Sequence, residues 1–212
     1  LLIISITIIS LSLSVYYAFS LSFSTFYFLI PASIISLSYP IKIIPLGGQK
    51  VSLRELPRAK IFLIALVWSI VSVVLVTLEN KSFYSLDTLL LFISRFSFVL
   101  AITIPFDIRD LKYDDLSLKT IPQILGEQKA KMIALYCLAL FELISIFHFF
   151  VGDFSWQLLL ALMLTSLLSG ILIIKSSQEK KNFFFSFWVE GASIIMYLLL
   201  FIIPLAFGIL AL

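Results

Sequence analysis

The sequence predicts an all-α integral membrane protein, a single domain (residues 1–212) built as a polytopic bundle of about seven transmembrane helices. Of its 212 residues, 61% are hydrophobic and only 13% are charged, whereas a soluble globular domain is about 45–50% apolar and about 25% charged. The mean hydropathy is +1.14. The apolar residues also fall in long runs, and a membrane helix needs a run of about 20 residues. Together these observations exclude a soluble enzyme or nucleic-acid-binding domain.

Seven apolar stretches reach, or nearly reach, the length needed to cross the hydrocarbon core. These spans, A to G in chain order, are Leu2–Phe19, Phe23–Ile44, Ile61–Leu78, Leu86–Ile104, Ala130–Phe150, Trp156–Ile174 and Val189–Ala211. Serines alternate with apolar residues in spans A and B, as in a membrane strand. Spans C and G do not alternate, and one chain rarely mixes helices with a barrel in one bilayer. We therefore predict helices throughout, with serine hydroxyls bonded to the preceding turn or to a neighbouring helix.

Lysine and arginine are concentrated in alternate loops. The B–C, D–E and F–G loops and their edges hold nearly all of them: Lys42, Lys50, Arg54, Arg58, Lys60, Arg109, Lys112, Lys119, Lys129, Lys131, Lys175, Lys180 and Lys181. The other three loops hold only Lys81. Because Lys and Arg accumulate on the cytoplasmic side, we predict that these three loops are cytoplasmic. The expected location is a bacterial inner membrane, with membrane lipid as a partner and no nucleic acid.

The D–E loop contains the stretch I-P-F-D-I-R-D-L-K-Y-D-D-L-S-L-K-T-I-P-Q-I-L-G, residues 104–126. Asp107, Asp110 and Asp114 stand at i, i+3 and i+7, which places them on one face of a helix. Such carboxylates repel one another unless a counter-charge lies between them. Mg²⁺ accepts carboxylates together with phosphate oxygens, and the basic residues Arg109 and Lys119 suit phosphate. The spacing therefore favours a magnesium–diphosphate site, and the alternative is a solvated loop of mixed charge.

This stretch resembles the second aspartate-rich motif of the UbiA family of intramembrane prenyltransferases. The family's pattern is roughly D-x-x-D-x-x-x-D, a basic residue with Thr, Pro, and a closing Leu-Gly. Those places are held here by Asp107, Asp110, Asp114, Lys119, Thr120, Pro122, Leu125 and Gly126. The Y-P-I-K that begins at Tyr39 and ends at Lys42 is similar to the Y-x-x-x-(K/R) ending of the family's fourth helix.

The resemblance implies nine helices around a central cavity, of which this chain would hold the last seven and lack two upstream. It implies Mg²⁺-dependent transfer of a prenyl group from a polyprenyl diphosphate to a small aromatic or lipid-precursor acceptor. The three aspartates would be the catalytic residues and metal ligands. The expected substrate-binding residues are Tyr39, Lys42, Arg95, Arg109 and Lys119.

The chain departs from the family pattern in two places. The family's first motif, an Asn/Asp-rich end of its second helix, is absent from these residues, so it would lie upstream of Leu1 or be degenerate. Leu118 stands where members often carry Gly. Two alternatives therefore stay open: a degenerate member that only binds isoprenoid diphosphates, and a membrane transporter whose intramembrane charges line a path.

The sequence also supports predictions about several other charged residues and one aromatic segment. Arg95 lies near the middle of span D, where a charge indicates function. It is expected to pair with Glu142 or to face a wet cavity. Asp115 falls off the shared face and should be solvated. His148, the only histidine, should lie near the outer membrane face, away from the aspartates. The aromatic segment from Phe183 to Trp188 is typical of a membrane interface.

Overall fold

The computed structural model describes residues 2–46, 48–83 and 85–209, and most of these residues are helical. The helices are α1 (Leu2–Ala18), α2 (Phe23–Ser38), α3 (Lys60–Glu79), α4 (Leu86–Asp110), α5 (Ile121–Leu125), α6 (Glu127–Val151), α7 (Trp156–Lys175) and α8, which is made of Phe184–Val189 and Glu190–Ile209. The only sheet in the described ranges is the hairpin of β1 (Ile44–Leu46) and β2 (Gln49–Val51). The all-α prediction is confirmed.

Five helices are long and apolar enough to cross a membrane: α3, α4, α6, α7 and α8, of 20 to 25 residues each. They correspond to predicted spans C to G. Helices α1 and α2 have 17 and 16 residues, or about 26 and 24 Å at 1.5 Å per residue. They are therefore shorter than a hydrocarbon core of about 30 Å. The structure thus supports a membrane protein, and the count of seven spans remains a prediction.

Span B was predicted to reach Ile44, and the structure shows that this boundary is wrong. Helix α2 ends at Ser38. Tyr39 still has helical angles, with φ −54° and ψ −46°, but Pro40 has no backbone N–H to continue the helical hydrogen bonds. Ile44 instead begins β1 and pairs with Val51. The loop between α2 and α3 therefore contains a short antiparallel hairpin.

Two hydroxyl side chains of α1 bond to the preceding helical turn, as predicted. Thr7 Oγ1 donates to the carbonyl of Ile3 at 2.9 Å, and Ser14 Oγ donates to that of Ser10 at 2.8 Å. Each bond satisfies a polar hydroxyl within the helix, so no neighbouring strand is needed. The alternating serines of span A are thus helix residues, which confirms the choice of helix over barrel strand.

Helix α4 lies at the centre of the bundle, packed against α3 on one side and α6 on the other. Fully buried alanines occupy these interfaces, including Ala65, Ala101 and Ala134. Small side chains let the helices approach closely. Phe98 and Phe141 pack with ring centroids 5.0 Å apart. This packing fixes α4 in place, and the last turn of α4 carries the first two aspartates of the cluster.

Two helices contain a π-helical turn, Ile70–Val74 in α3 and Phe184–Val189 at the start of α8. A π-turn widens the helix by one residue and redirects the side chains that follow. Helix α8 therefore begins at Phe184, not at Val189 as span G predicted. Within this turn Phe185 is fully buried, whereas Phe187 is exposed, so only part of the aromatic segment has the exposure of a membrane interface.

Candidate functional site

The three predicted aspartates converge on one cation, the ammonium of Lys60 at the start of α3. Lys60 Nζ lies 2.9 Å from Asp107 Oδ1, 3.6 Å from Asp110 Oδ2 and 3.2 Å from Asp114 Oδ2. Asp107 and Asp110 lie in the last turns of α4, and Asp114 lies in the turn that follows. The side chain of Asp107 is only 2% exposed. Asp107 and Asp110 therefore share the end of α4, the turn after α4 brings Asp114 to them, and a lysine supplies their counter-charge.

Sequence analysis placed Lys60 at the edge of the B–C loop, as a charge that reports topology. It missed the role of Lys60 because no local spacing connects it to the aspartates. One signal was available. Acids at a membrane surface need a nearby cation, and Lys60 precedes span C on the same predicted face.

Arg109 is held in a fixed orientation beside the acids. Its Nε donates to Asp110 Oδ1 at 2.7 Å, and its Nη2 donates to Asp110 Oδ2 at 3.1 Å. Its guanidinium also lies over two aromatic rings, 5.2 Å from the centroid of Phe106 and 5.7 Å from that of Phe185. A planar guanidinium held by a bidentate pair and by ring faces is well suited to phosphate. The buried Phe185 thus contributes to the site from α8.

An open cavity of about 380 Å³ lies beside the cluster. It is lined by Arg54, Arg109, Asp110, Tyr113, Asp114, Asn182 and Ser186. Its wall thus carries two guanidiniums and two carboxylates. Asp107 lies away from it, on a small cavity of about 10 Å³ shared with Lys60 and Thr120, which has room for about one water. A ligand in the larger cavity would meet Asp110 and Asp114, with Asp107 behind them.

The residues after the aspartates hold the loop in shape. Gln123 Nε2 donates to the carbonyls of Asp114 at 3.3 Å and Asp115 at 3.1 Å. Gln123 Oε1 accepts from the backbone N–H of Thr120 at 2.9 Å. Gly126 joins α5 to α6 at a φ of +81°, a region that favours glycine. The Thr and Gly positions of the motif therefore lie at the two ends of α5, where they shape the loop.

Asp115 is exposed, as predicted. Its carboxylate accepts the backbone N–H of Ser117 at 2.8 Å. That bond holds the pKa of Asp115 below its usual value. Asp115 therefore differs in environment from the neighbouring Asp114, although the two residues are adjacent in sequence.

The other predicted substrate-binding residues near this surface differ in their environments. Tyr39 lies close to Lys60: burial raises the pKa of its hydroxyl, and the charge of Lys60 opposes that rise. Lys42 Nζ is 3.2 Å from Glu55 Oε1, and the backbone N–H of Ser52 holds the pKa of Glu55 low. Lys119 is exposed with φ +48° and has no ion pair within the described ranges.

Arg95 is not brought to the aspartates. It lies twelve residues before Asp107, or about 18 Å along α4 at 1.5 Å per residue. It lines an interior cavity of about 240 Å³ with Ser94, Ser145 and His148. Its Nη1 donates to Met196 Sδ at 3.4 Å. The expected ion pair with Glu142 is absent from the part of the chain that the structure describes, so that expectation was wrong; the cavity alternative fits.

No protein-family model matches this chain, and no curated protein or solved structure is significantly similar to it. The likeness to the UbiA family therefore rests on the motif residues alone.

The carboxylates on the cavity wall fit the coordination chemistry of Mg²⁺. That ion binds oxygen, usually through one or two protein carboxylates, and completes its shell with water or phosphate oxygens. Asp110 and Asp114 face the cavity and provide such oxygens. Arg54 and Arg109 on the same wall provide donors for the phosphate oxygens. The donor set thus suits a magnesium–diphosphate ligand, with Lys60 reducing the negative charge from behind.

Proposed function

We propose that this protein is an intramembrane prenyltransferase of the UbiA type. It transfers a prenyl group from a polyprenyl diphosphate to a small aromatic or lipid-precursor acceptor, with Mg²⁺. One observation carries the proposal: two aspartates and two arginines share the wall of the cavity at the end of α4. Carboxylates alone would suit a metal ion, and arginines alone would suit a phosphate. Carboxylates and arginines together suit a metal ion and a diphosphate that bind as one complex.

In the proposed complex, Asp110 and Asp114 hold Mg²⁺. The bound ion supplies positive charge that makes diphosphate a better leaving group. Arg109 donates to the phosphate oxygens, and its orientation is already set by Asp110 and by Phe106 and Phe185. Arg54 donates from another part of the wall. These donors stabilise charge that develops only as the bond breaks, which is where they lower the barrier.

The bond between the prenyl carbon and the diphosphate oxygen breaks heterolytically, and the electron pair leaves with diphosphate. The allylic cation then forms a bond to the acceptor, which loses a proton. The apolar bundle keeps water from that cation. Lys60 and Asp107 act as positioning residues, because their 2.9 Å contact anchors the lysine that holds the other two carboxylates together.

A protein that binds isoprenoid diphosphates without turnover is the second candidate. It is favoured by the position of Lys60, whose ammonium already lies within 3.6 Å of all three carboxylates. A divalent ion must therefore bind beside this lysine or displace it. Both candidates bind a polyprenyl diphosphate, and only the enzyme releases inorganic diphosphate.

The proposal includes the membrane arrangement. The five long helices cross the membrane, with α1 and α2 as two shorter spans, in a bacterial inner membrane with the aspartates on the cytoplasmic side. Lys60 begins α3, Arg109 lies in the last turn of α4, and Lys175 ends α7. If successive helices cross the membrane in opposite directions, these three helix ends lie on the same membrane face, which supports the proposal. Cytoplasmic loops carry the excess of Lys and Arg.

The proposal is tested with purified protein in lipid nanodiscs, labelled polyprenyl diphosphate and Mg²⁺, with a panel of small aromatic acceptors. Wild type should release inorganic diphosphate. Asp110→Asn and Asp114→Asn should lower the rate by about 100-fold or more, as for removal of a group that stabilises transition-state charge. Asp115→Asn is the matched control and should retain the rate. Equal release by wild type and the first two variants would end the enzyme proposal, and Mg²⁺-dependent binding without release would favour the second candidate.

A further inference from the structure

We propose a zinc site at the other end of α4, formed by Asp87, His148 and Asp153. One ligand atom from each residue lies within 4.8 Å of the others. The three residues come from the first turn of α4, the last turn of α6 and the loop after α6. Asp87 precedes Asp107 by twenty residues, or about 30 Å along α4. The site is therefore separate from the cavity beside the aspartate cluster and does not depend on the proposed function.

The end of α6 orients two of the three ligands. Gly152 has a φ of +96°, a conformation that reverses the chain after the helix. The N–H groups of Asp153 and Phe154 then donate to the carbonyl of His148 at 2.9 and 3.2 Å. This turn brings Asp153 Oδ2 to 3.1 Å from His148 Nδ1. The Phe154 ring stacks on the imidazole at 4.9 Å, so the ring is already oriented.

The basic neighbour of the two carboxylates at this site is His148, which lies 3.1 Å from Asp153. Two carboxylates, those of Asp87 and Asp153, lie close together, and no lysine or arginine forms an ion pair with either one among the residues that the structure covers. The aspartates near Lys60, by contrast, have a lysine between them. His148 is only 1% exposed, and Nδ1 is the ring nitrogen that faces the carboxylate of Asp153. A cation bound at Nδ1 would relieve the carboxylate repulsion and fix the imidazole tautomer.

The donor set selects the class of metal. One imidazole nitrogen and two carboxylate oxygens suit Zn²⁺, whereas Mg²⁺ prefers oxygen alone. Zinc bonds of about 2.0–2.2 Å place tetrahedral ligand atoms roughly 3.3–3.6 Å apart. The His148–Asp153 separation of 3.1 Å is already close to this value. Asp87 and Asp153 are exposed, so their carboxylates can turn inward, and water would take the fourth position.

Zinc at this site would connect α4 to the α6–α7 turn beside the 240 Å³ cavity, which His148 also lines. The test uses chelator-treated protein in detergent, dialysed against Zn²⁺ and analysed for bound metal, with Co²⁺ absorption as a second readout of nitrogen and oxygen coordination. Wild type should bind about one Zn²⁺ per chain at this site. Asp87→Asn and His148→Gln should weaken binding by at least about tenfold, the order seen when metal sites are disturbed. Asp115→Asn, at an exposed carboxylate outside both sites, should not.

Because His148 is buried, His148→Gln is first checked for helicity and a single size-exclusion peak. If it fails, the exposed pair Asp87→Asn and Asp153→Asn decides the result. The proposal is overturned if these variants bind Zn²⁺ as wild type does, if wild type binds none, if excess Mg²⁺ displaces the Zn²⁺, or if Asp115→Asn loses it to the same extent.

Discussion

Lys60 is the residue on which the geometry of the aspartate cluster depends. Its ammonium lies between three carboxylates and its side chain is 12% exposed. Removing one member of a buried ionic group leaves the charges of the others without a counter-charge. The resulting loss of stability is larger than the net stabilisation that the intact group provides. The stability of this end of the bundle and the metal affinity of the cavity should therefore both respond to this one side chain.

Lys60→Met keeps the aliphatic stem and removes only the charge. We expect a loss of about 3–5 kcal/mol of stability in the absence of divalent ions, the range for breaking a buried pair. Millimolar Mg²⁺ should restore part of it, because the ion replaces the missing positive charge. Thermal unfolding in detergent, followed by tryptophan fluorescence, measures both effects. Lys119→Met, at an exposed lysine without an ion pair in the described ranges, should change little. A Lys60→Met protein as stable as wild type without Mg²⁺ would contradict this view.

The residues of the site could be predicted only where they are close in sequence. Helical spacing was enough to expect that Asp107 and Asp110 share a face, whereas Asp114 lies beyond the end of α4 and reaches them through the turn that follows. Lys60 and Arg54 come from distant segments, so no local pattern identifies them. The contact between Arg109 and Phe185 depends on how α8 packs near α4, which composition does not specify.

At the scale of elements, the connection from α4 to α6 sets the geometry of the site. Helix α5 is five residues long and ends at Gly126, whose φ of 81° and ψ of 163° lie in a region that is essentially reserved for glycine. A side chain there strains the backbone even where space is open. Gln123 ties this short helix back to the aspartate loop, so strain at Gly126 should reach the cluster.

Gly126→Ala should therefore destabilise the protein by about 1–3 kcal/mol, the cost of such a conformation for a non-glycine residue. The matched control is Gly191→Ala in α8, where an added Cβ meets no atom within 4 Å. In a helix interior that change should stabilise by about 0.5–1 kcal/mol. Parallel melting curves of the two variants give the comparison. Opposite shifts are expected, and equal shifts would show that the conformation of Gly126 is not strained by a side chain.

Element boundaries show where local rules failed. The hydrophobic run of span B continues past Pro40, and the run alone gave the wrong end, although a proline, which lacks a backbone N–H, indicated that the helix ends there. The start of α8 at Phe184, earlier than predicted, could not be inferred from any such signal in the sequence. Its first turn is π-helical, and the aromatic residues there resemble an interface segment until packing buries Phe185.

At the scale of the whole molecule, hydropathy predicted the helical class and the five helices that are long and apolar enough to cross a membrane, because bilayer thickness fixes the length of a spanning helix. Most of the apolar side chains of α1 are exposed. Because α1 has no polar face, its hydrophobic pattern does not show which side of the helix packs against the bundle. The orientation of the bundle depends on the distribution of Lys and Arg, which labelling can test.

Single cysteines in a Cys137→Ala background report orientation in intact bacterial cells. An impermeant maleimide should label Asn80→Cys in the α3–α4 loop and Ser20→Cys between α1 and α2. It should label Lys181→Cys and Lys50→Cys only after the membrane is opened, because the loops rich in Lys and Arg are expected inside. All four positions are exposed. Labelling of Lys181→Cys in intact cells would reverse the orientation, and labelling of both Ser20→Cys and Lys50→Cys would remove α2 as a span.

The central claim is that the cavity beside Asp110 and Asp114 binds a diphosphate through Mg²⁺, and equilibrium binding of a labelled polyprenyl diphosphate tests it most directly. Wild type should bind at least about tenfold more tightly with Mg²⁺ than with chelator, since a charge-assisted contact contributes about 1.5–3 kcal/mol. Asp110→Asn and Asp114→Asn should lose that difference while Asp115→Asn keeps it. Binding that is the same with Mg²⁺ and with chelator, or the same in all three variants, would contradict the account.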